Sequence, residues 1–205
     1  MEATTESGKT GRSRGEGDPP GFRKPGRGDA LELARVRFLE GQRIEMGSLA
    51  AELGIGRTTL YRWVGERDDL IEEVLADLVD DWFEAVDGAA RGTGRSRVID
   101  LFRRFLELAA ASGPLTELAE REPALTMRIL LDRGGKVAIR SKQLLTEVTA
   151  RDLPDLDVPS NIVDAIEMGA ASLVWANMAA GREPDIDGAV QLASTLIDVC
   201  PPKSP

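Results

Sequence analysis

Residues 44–64 read IEMGSLAAELGIGRTTLYRWV and carry the clearest structural signal in the chain. Two short segments with helical apolar spacing flank a turn centred on Gly54. Ala50 is small enough for the first segment to pack closely against the second, and Gly54 supplies the positive φ angle that a short turn between helices needs. The pattern predicts a helix-turn-helix whose second helix runs from about Arg57 to Trp63.

The second helix carries the residue types of a DNA recognition helix. Arginine can donate two hydrogen bonds to guanine, and a threonine methyl can contact the thymine methyl. Hydroxyl groups and the free N–H groups of a helix start bind phosphates. A plain helical hairpin is the alternative, but it would expose two aromatic residues without reason. The candidate DNA-binding residues are Arg57, Thr58, Thr59, Tyr61, Arg62 and Trp63.

These residues resemble the TetR family of bacterial transcriptional regulators, over about residues 30–74. The family pattern of a second helix, a recognition helix and an acidic entry to a fourth helix is found at 50–54, 60–64 and 67–70. The resemblance implies that Tyr61 and Trp63 contact phosphate, that the remaining candidates face bases or backbone, and that Arg67, where the family commonly has Lys, contacts phosphate.

The resemblance also implies the partners of the protein. A double-stranded DNA operator with palindromic half-sites about 34–36 Å apart requires a homodimer. Three departures from the family pattern leave the operator sequence open. Gly56 replaces the usual Ser or Thr helix cap, which costs a few tenths of a kcal/mol. Val64 replaces the usual Phe, and Glu45 stands where the family often has a Thr cap.

Composition excludes several classes of enzyme and metal protein. The 205 residues include no His and one Cys, Cys200, so no His can act as a general base and no Cys/His zinc site can form. We therefore expect no catalytic residues, no metal and no cofactor. A single thiol and the lack of an apolar leader favour a cytoplasmic protein.

The net charge of −9 is unevenly distributed. Residues 1–67 hold 12 Lys/Arg and 10 Asp/Glu, giving +2, and residues 68–205 hold 14 and 25, giving −11. The first part can therefore tolerate a polyphosphate, which the second part would repel. The most apolar stretch, 162–180, contains two carboxylates, so we expect no membrane span.

Helical spacing from Ala30 onward predicts an all-α protein of about nine helices, with no sheet. We divide the chain into a disordered N-terminal arm (1–28), a helix-turn-helix DNA-binding domain (29–75) and a C-terminal helical ligand-binding and dimerisation domain (76–205). The arm is either a loose terminus or a basic segment that reaches for DNA.

The C-terminal domain is expected to contain helices at 98–112, 123–150, 160–181 and 187–199, the second with a kink or break at Gly134-Gly135. Small residues on 160–181 and apolar residues on 187–199 predict a four-helix dimer interface. A ligand pocket between the first three helices is expected. Its candidate residues, each of which can equally be plain core, are Phe102, Phe105, Met127, Arg128, Met168, Trp175, Asn177 and Met178.

Residues 122–132 resemble the C-terminal domain of QsdR-like TetR-type repressors, which control γ-lactone and acyl-homoserine-lactone degradation. The resemblance implies a quorum-quenching repressor released by a lactone or by its opened hydroxy acid. The alternatives are a ligand-dependent activator, a DNA-binding regulator without a ligand, and an all-α enzyme. Lactone turnover would identify the enzyme, and a metabolite-dependent melting temperature would exclude the regulator without a ligand.

Overall fold

A computed structural model describes residues 23–203, which form an all-α protein as predicted. Within this range the extended structure is one isolated bridge between Leu156 and Pro202. The elements are α1 (Arg27–Leu39), α2 (Met46–Glu52), α3 (Arg57–Val64), α4 (Arg67–Asp87), α5 (Gly94–Ala110), α6 (Gly113–Arg121), α7 (Pro123–Leu131), α8 (Lys136–Asp152), α9 (Ser160–Ala170), a π-helical segment (Ala171–Trp175), α10 (Ala176–Ala179) and α11 (Ile186–Asp198).

Helices α1 to α3 form the N-terminal domain. Their core consists of fully buried small and aliphatic side chains, including Ala34, Leu49 and Leu60. Helix α1 begins at Arg27, three residues before the predicted start, because the Asp29 carboxylate accepts a hydrogen bond from the Gly26 N–H at 2.6 Å and caps the first turn. Residues 1–22 of the predicted arm lie outside the described residues.

Helix α4 connects the two domains. Its 21 residues carry an apolar stripe, with Leu70, Val74 and Leu78 buried. The helix packs against α1 of the N-terminal part and against α5 and α8 of the C-terminal part.

The C-terminal domain differs from the sequence prediction in two ways. The segment 113–121 is a helix, although Gly113-Pro114 marked the end of a helix in the sequence. Proline is tolerated in the first helical turn, where its missing N–H has no partner to lose, and Pro114 occupies that turn. The predicted helix 160–181 is divided by the π-helical segment.

The break at Gly134-Gly135 is confirmed, since α7 ends at Leu131 and α8 begins at Lys136. Helices α5 and α8 pack against α4 and against each other, α9 packs against α8, and α11 packs against α5 and α9. Between Arg27 and Asp198 the structure contains no helix with the length and apolar character that crossing a bilayer requires.

Candidate nucleic-acid interface and apolar cavity

The predicted helix-turn-helix is present. Gly54 has a φ angle of +65°, and the Ile55 N–H donates to the Ala50 carbonyl at 2.9 Å, which closes the turn. Ala50 and Leu60 are buried between α2 and α3. No side chain caps the start of α3, since Gly56 occupies that position.

Helix α3 presents a polar face to solvent. Arg57, Thr58, Tyr61 and Arg62 are exposed, whereas Thr59 and Trp63 are half-buried. Within residues 23–203, the side chains of Arg57 and Arg62 form no ion pair, in contrast to most arginines of the protein. These two guanidinium groups are therefore free to meet an external anion.

Arg67, the predicted phosphate contact, forms an internal ion pair in the structure. Its guanidinium is half-buried and turned toward the C-terminal domain. It donates to the two Glu122 carboxylate oxygens, from Nη1 at 2.8 Å and Nη2 at 2.6 Å, and from Nε to the Ile44 carbonyl at 2.7 Å. The ion pair holds the pKa of Glu122 below its ordinary value. Arg67 therefore joins the helix-turn-helix to the start of α7.

A second polar link joins the recognition helix to α8. The Arg27 guanidinium donates from Nε to the Trp63 carbonyl at 3.0 Å and pairs with Glu73 of α4. Lys136, the first residue of α8, also pairs with Glu73 at 3.1 Å. Burial opposes ionisation of Glu73, but the hydrogen bonds from Arg27 and Lys136 outweigh it and lower the pKa of the carboxyl. In addition, the Lys136 N–H donates to Glu72 at 2.7 Å.

An apolar cavity lies inside the C-terminal domain, between α4, α5, α8 and α9. Its volume is about 60 Å³, and about 10–15 Å³ of such volume is enough to hold one water molecule. Effector pockets generally have about 300–1,000 Å³. The cavity is lined mainly by aliphatic and aromatic side chains, among them Val79, Phe102, Phe105, Leu144, Val148 and Trp175.

Two polar side chains interrupt this lining, Ser141 of α8 and Glu167 of α9. Burial raises the pKa of Glu167, and the nearby positive charges of Lys142 and Arg133 oppose the shift. Among the described residues, no side chain forms a hydrogen bond or an ion pair with Glu167. Lys142 instead contacts Asp164 at 3.3 Å and the Arg133 carbonyl at 3.1 Å.

The structure brings together part of the predicted ligand set. Phe102, Phe105 and Trp175 line the cavity. The other candidates lie elsewhere: Met127 and Met168 are exposed on the surface, Arg128 pairs with Asp68, Asn177 donates to the Leu173 carbonyl at 2.8 Å, and Met178 packs in the neighbouring core.

Ser141 and Glu167 were missed by the sequence analysis, although a signal for them existed. Glu167 continues the buried stripe of Val163, Ile166 and Ala170, at helical spacings of 3 and 4 residues. Ser141 occupies the same kind of position between Val137 and Leu144. A polar residue on the apolar stripe of a helix is expected either to find a buried partner or to face a cavity.

Helices α9 and α11 pack side by side at close range. A Cβ atom at Gly169 would lie 2.3 Å from the Leu192 side chain, so only glycine permits this approach without a shift of Leu192. Six exposed or half-exposed residues of these two helices and of the π-helical segment have uncharged side chains, and we call them the uncharged face of α9 and α11: Ala165, Met168, Ser172, Gln191, Leu192 and Thr195.

An N-terminal helix-turn-helix followed by a larger helical domain with an internal cavity is the architecture of a ligand-responsive class of transcriptional regulators. The family model for the Tetracyclin repressor-like, C-terminal domain matches residues 93–198, just over half of the chain. The protein therefore belongs to the TetR family. A comparison with curated proteins gives no significant match.

Solved structures agree with this assignment. The chain is similar to the R. erythropolis transcriptional repressor QsdR of the TetR family, with 26% identity and a TM-score of 0.79 over 87% of this chain and 97% of that one. It also has the fold of a TetR transcriptional regulator from Rhodococcus sp. RHA1, with 16% identity and a TM-score of 0.54 over 84% of this chain and 94% of that one.

Proposed function

We propose that this protein is a transcriptional repressor that binds a palindromic operator as a homodimer and is released by a small apolar effector. The observation that carries the proposal is the exposed face of α3, whose two arginines have no partner within residues 23–203. The similarity to QsdR, itself described as a transcriptional repressor, supports repression over activation.

The DNA contacts divide by chemistry. Arg57 and Arg62 are the candidates for base reading, since each can donate a pair of hydrogen bonds to guanine. Thr58 and Tyr61 offer hydroxyl groups to phosphates, and the N-terminus of α3 adds backbone donors. The half-buried Thr59 and Trp63 are secondary candidates, because helix packing covers part of each side chain.

The uncharged face of α9 and α11 supports the dimer. Charged residues make up 30% of the chain, so this group of six uncharged side chains is unusual for a face that stays in water. Pairing this face with its symmetry mate produces a four-helix interface. Such a dimer would hold two α3 helices in a fixed relative position, as a palindrome requires.

The cavity supports the effector. Its volume of about 60 Å³ is well below the ~300–1,000 Å³ of a typical ligand pocket, so we propose that an effector widens it by displacing the surrounding helices. Helix α8 supplies one wall through Val137, Ser141 and Leu144. Its first residue, Lys136, is bound to Glu73, which binds Arg27 and thereby the end of α3. Displacement of α8 would therefore reach the recognition helix.

A γ-lactone or an acyl-homoserine lactone is the effector class that we propose. The proposal rests on the resemblance of residues 122–132 to lactone-responsive repressors. An effector can change operator affinity only by its differential affinity for the two conformations, typically about 1–3 kcal/mol.

The test is fluorescence anisotropy with the DNA upstream of the protein's own gene and with random DNA, at several salt concentrations. We expect a preference of about 10³ or more for the upstream fragment. Arg62→Ala should weaken that preference. Arg182→Ala is the matched control, because Arg182 is also exposed and has no ion pair within the described residues, but lies in the turn after α10. Equal binding to both DNAs by the wild-type protein would contradict the proposal.

Lactones are then added to the complex formed with the upstream fragment. Release indicates a repressor, tighter binding indicates a ligand-dependent activator, and no response to any metabolite indicates a regulator without a ligand. Lactone hydrolysis in the same samples would indicate an enzyme.

A further inference from the structure

Glu167 lines the cavity and is half-buried, and no described side chain donates a hydrogen bond to its carboxylate. Among the described residues that line the cavity, Glu167 is the one ionisable residue and Ser141 is the one with a hydroxyl group. Every other lining residue is aliphatic or aromatic, apart from the indole N–H of Trp175. A polar group withdrawn from water is stable when it is hydrogen-bonded, and a charged group when it is also paired.

The positive charges nearest to Glu167 are engaged elsewhere. Lys142 contacts Asp164 and the carbonyl of Arg133. Asp164, one turn before Glu167 on α9, adds a negative charge to this side of the cavity, and the Arg133 and Lys142 charges partly balance it. The carboxylate of Glu167 thus remains an acceptor for which the described protein supplies no hydrogen-bond donor.

We infer that Glu167 selects effectors that combine an apolar tail with a head bearing an N–H donor, and that it rejects effectors with a carboxylate head. The apolar tail would occupy the space between α5 and α8, and the N–H group would donate to the Glu167 carboxylate. A carboxylate head would place two acceptors of like charge together in an apolar site. This inference rests on the proposed function of the cavity.

The effectors proposed above differ in the hydrogen-bonding groups of their heads. An acyl-homoserine lactone carries an amide N–H, whereas a simple γ-lactone carries only acceptors. The opened hydroxy acid of either lactone carries a carboxylate. Glu167 therefore favours the intact acyl-homoserine lactone type of head over both a plain γ-lactone and any hydrolysed product.

The experiment uses four eight-carbon probes with different heads: octylamine, octanamide, γ-octalactone and octanoate. Isothermal titration calorimetry of the full chain gives the dissociation constants. Octylamine and octanamide should bind about tenfold or more tighter than octanoate, the ratio expected for a hydrogen bond to a charged group. Glu167→Gln should remove this preference, because its amide both donates and accepts while the charge is lost.

Glu147→Gln is the matched control. It removes the same charge from the neighbouring helix α8, where Glu147 faces a surface groove and not the cavity. It should leave all four dissociation constants unchanged. Glu167→Gln preserves the shape of the side chain, so we expect the variant to fold. A melting curve of each variant verifies that both are folded.

The titrations of the wild-type protein and of Glu167→Gln distinguish a role of Glu167 from a role of the cavity as a whole. Probes that bind wild type and Glu167→Gln with the same order of affinities would overturn the role of Glu167 and leave the effector cavity intact. If none of the four probes binds either protein, the inference fails, whereas operator binding by the wild-type protein in the anisotropy assay tests the proposed function separately.

Discussion

Glu122→Gln tests the link between the DNA-binding domain and the C-terminal domain. In the wild-type protein the Arg67 guanidinium donates to both carboxylate oxygens, at 2.6 and 2.8 Å, and the two side chains are 21% and 26% exposed. The glutamine amide keeps one oxygen that can accept from Arg67. Its NH₂ group replaces the second acceptor and faces the other Arg67 N–H donor, and the negative charge is lost. A hydrogen bond to a charged group contributes about 1.5–3 kcal/mol, so we expect a loss of that size.

Urea unfolding at a fixed protomer concentration measures the effect, since the stability of a dimer depends on concentration. A loss of about 1.5–3 kcal/mol corresponds to a fall in melting temperature of about 3–12 °C for a protein of this size. A double-mutant cycle with Arg67→Met isolates the interaction between the two side chains. The coupling energy should account for most of the loss from either single variant.

The effect should depend on pH with a known sign. Because Arg67 holds the pKa of Glu122 below its ordinary value, the stabilisation is present above the unfolded-state pKa of a glutamate. It is lost as the pH falls through the lower pKa of the folded state. The difference in stability between wild type and Glu122→Gln should therefore be full at pH 7 and disappear in strong acid. A difference that is absent at pH 7, or that grows on acidification, would refute this reasoning.

Three further changes have definite expected outcomes. Gly54→Ala should lower the free energy of unfolding by about 1–2 kcal/mol in urea titrations, because the added Cβ meets no neighbour but must adopt the left-handed conformation. If the proposed dimer forms through α9 and α11, Ser172→Arg should convert it to a monomer in sedimentation velocity, whereas Thr116→Arg on α6 should leave it intact. Gly135→Ala places a Cβ atom 2.6 Å from Glu72, and the effector should then release operator DNA less completely, as measured by anisotropy.

The N-terminal domain could be predicted almost fully from the sequence. The spacing of Ala50, Gly54 and Leu60 allows few ways of packing α2 against α3, because the contacts join residues that are close together in the chain. The exposed face of α3 followed from that packing. The ion pair of Arg67 was not predicted because its partner, Glu122, lies 55 residues away, and no local pattern identifies such a partner.

The cavity was harder to predict for the same reason. Its walls come from α4, α5, α7, α8, α9 and the π-helical segment, and which side chains face inward depends on how those helices rotate against one another. Met127 and Met168 have the composition of pocket residues but lie on outer faces. Helix α6 was missed because Gly113-Pro114 can end one helix and also begin the next.

The two polar links suggest how an effector would be sensed. Arg67 ties the helix-turn-helix to α7 through Glu122, and Glu73 ties it to α8 through Lys136. If α7 and α8 moved together, both links would move together and the two α3 helices would change position without strain inside either domain. Leu130 of α7 and Val137 of α8 both line the cavity, on either side of the glycine turn at 134–135. An effector that enlarges the cavity separates these two side chains, so we infer that the turn acts as the hinge. The reduced release expected for Gly135→Ala tests this inference, and unchanged release would favour movement of α7 and α8 as one body.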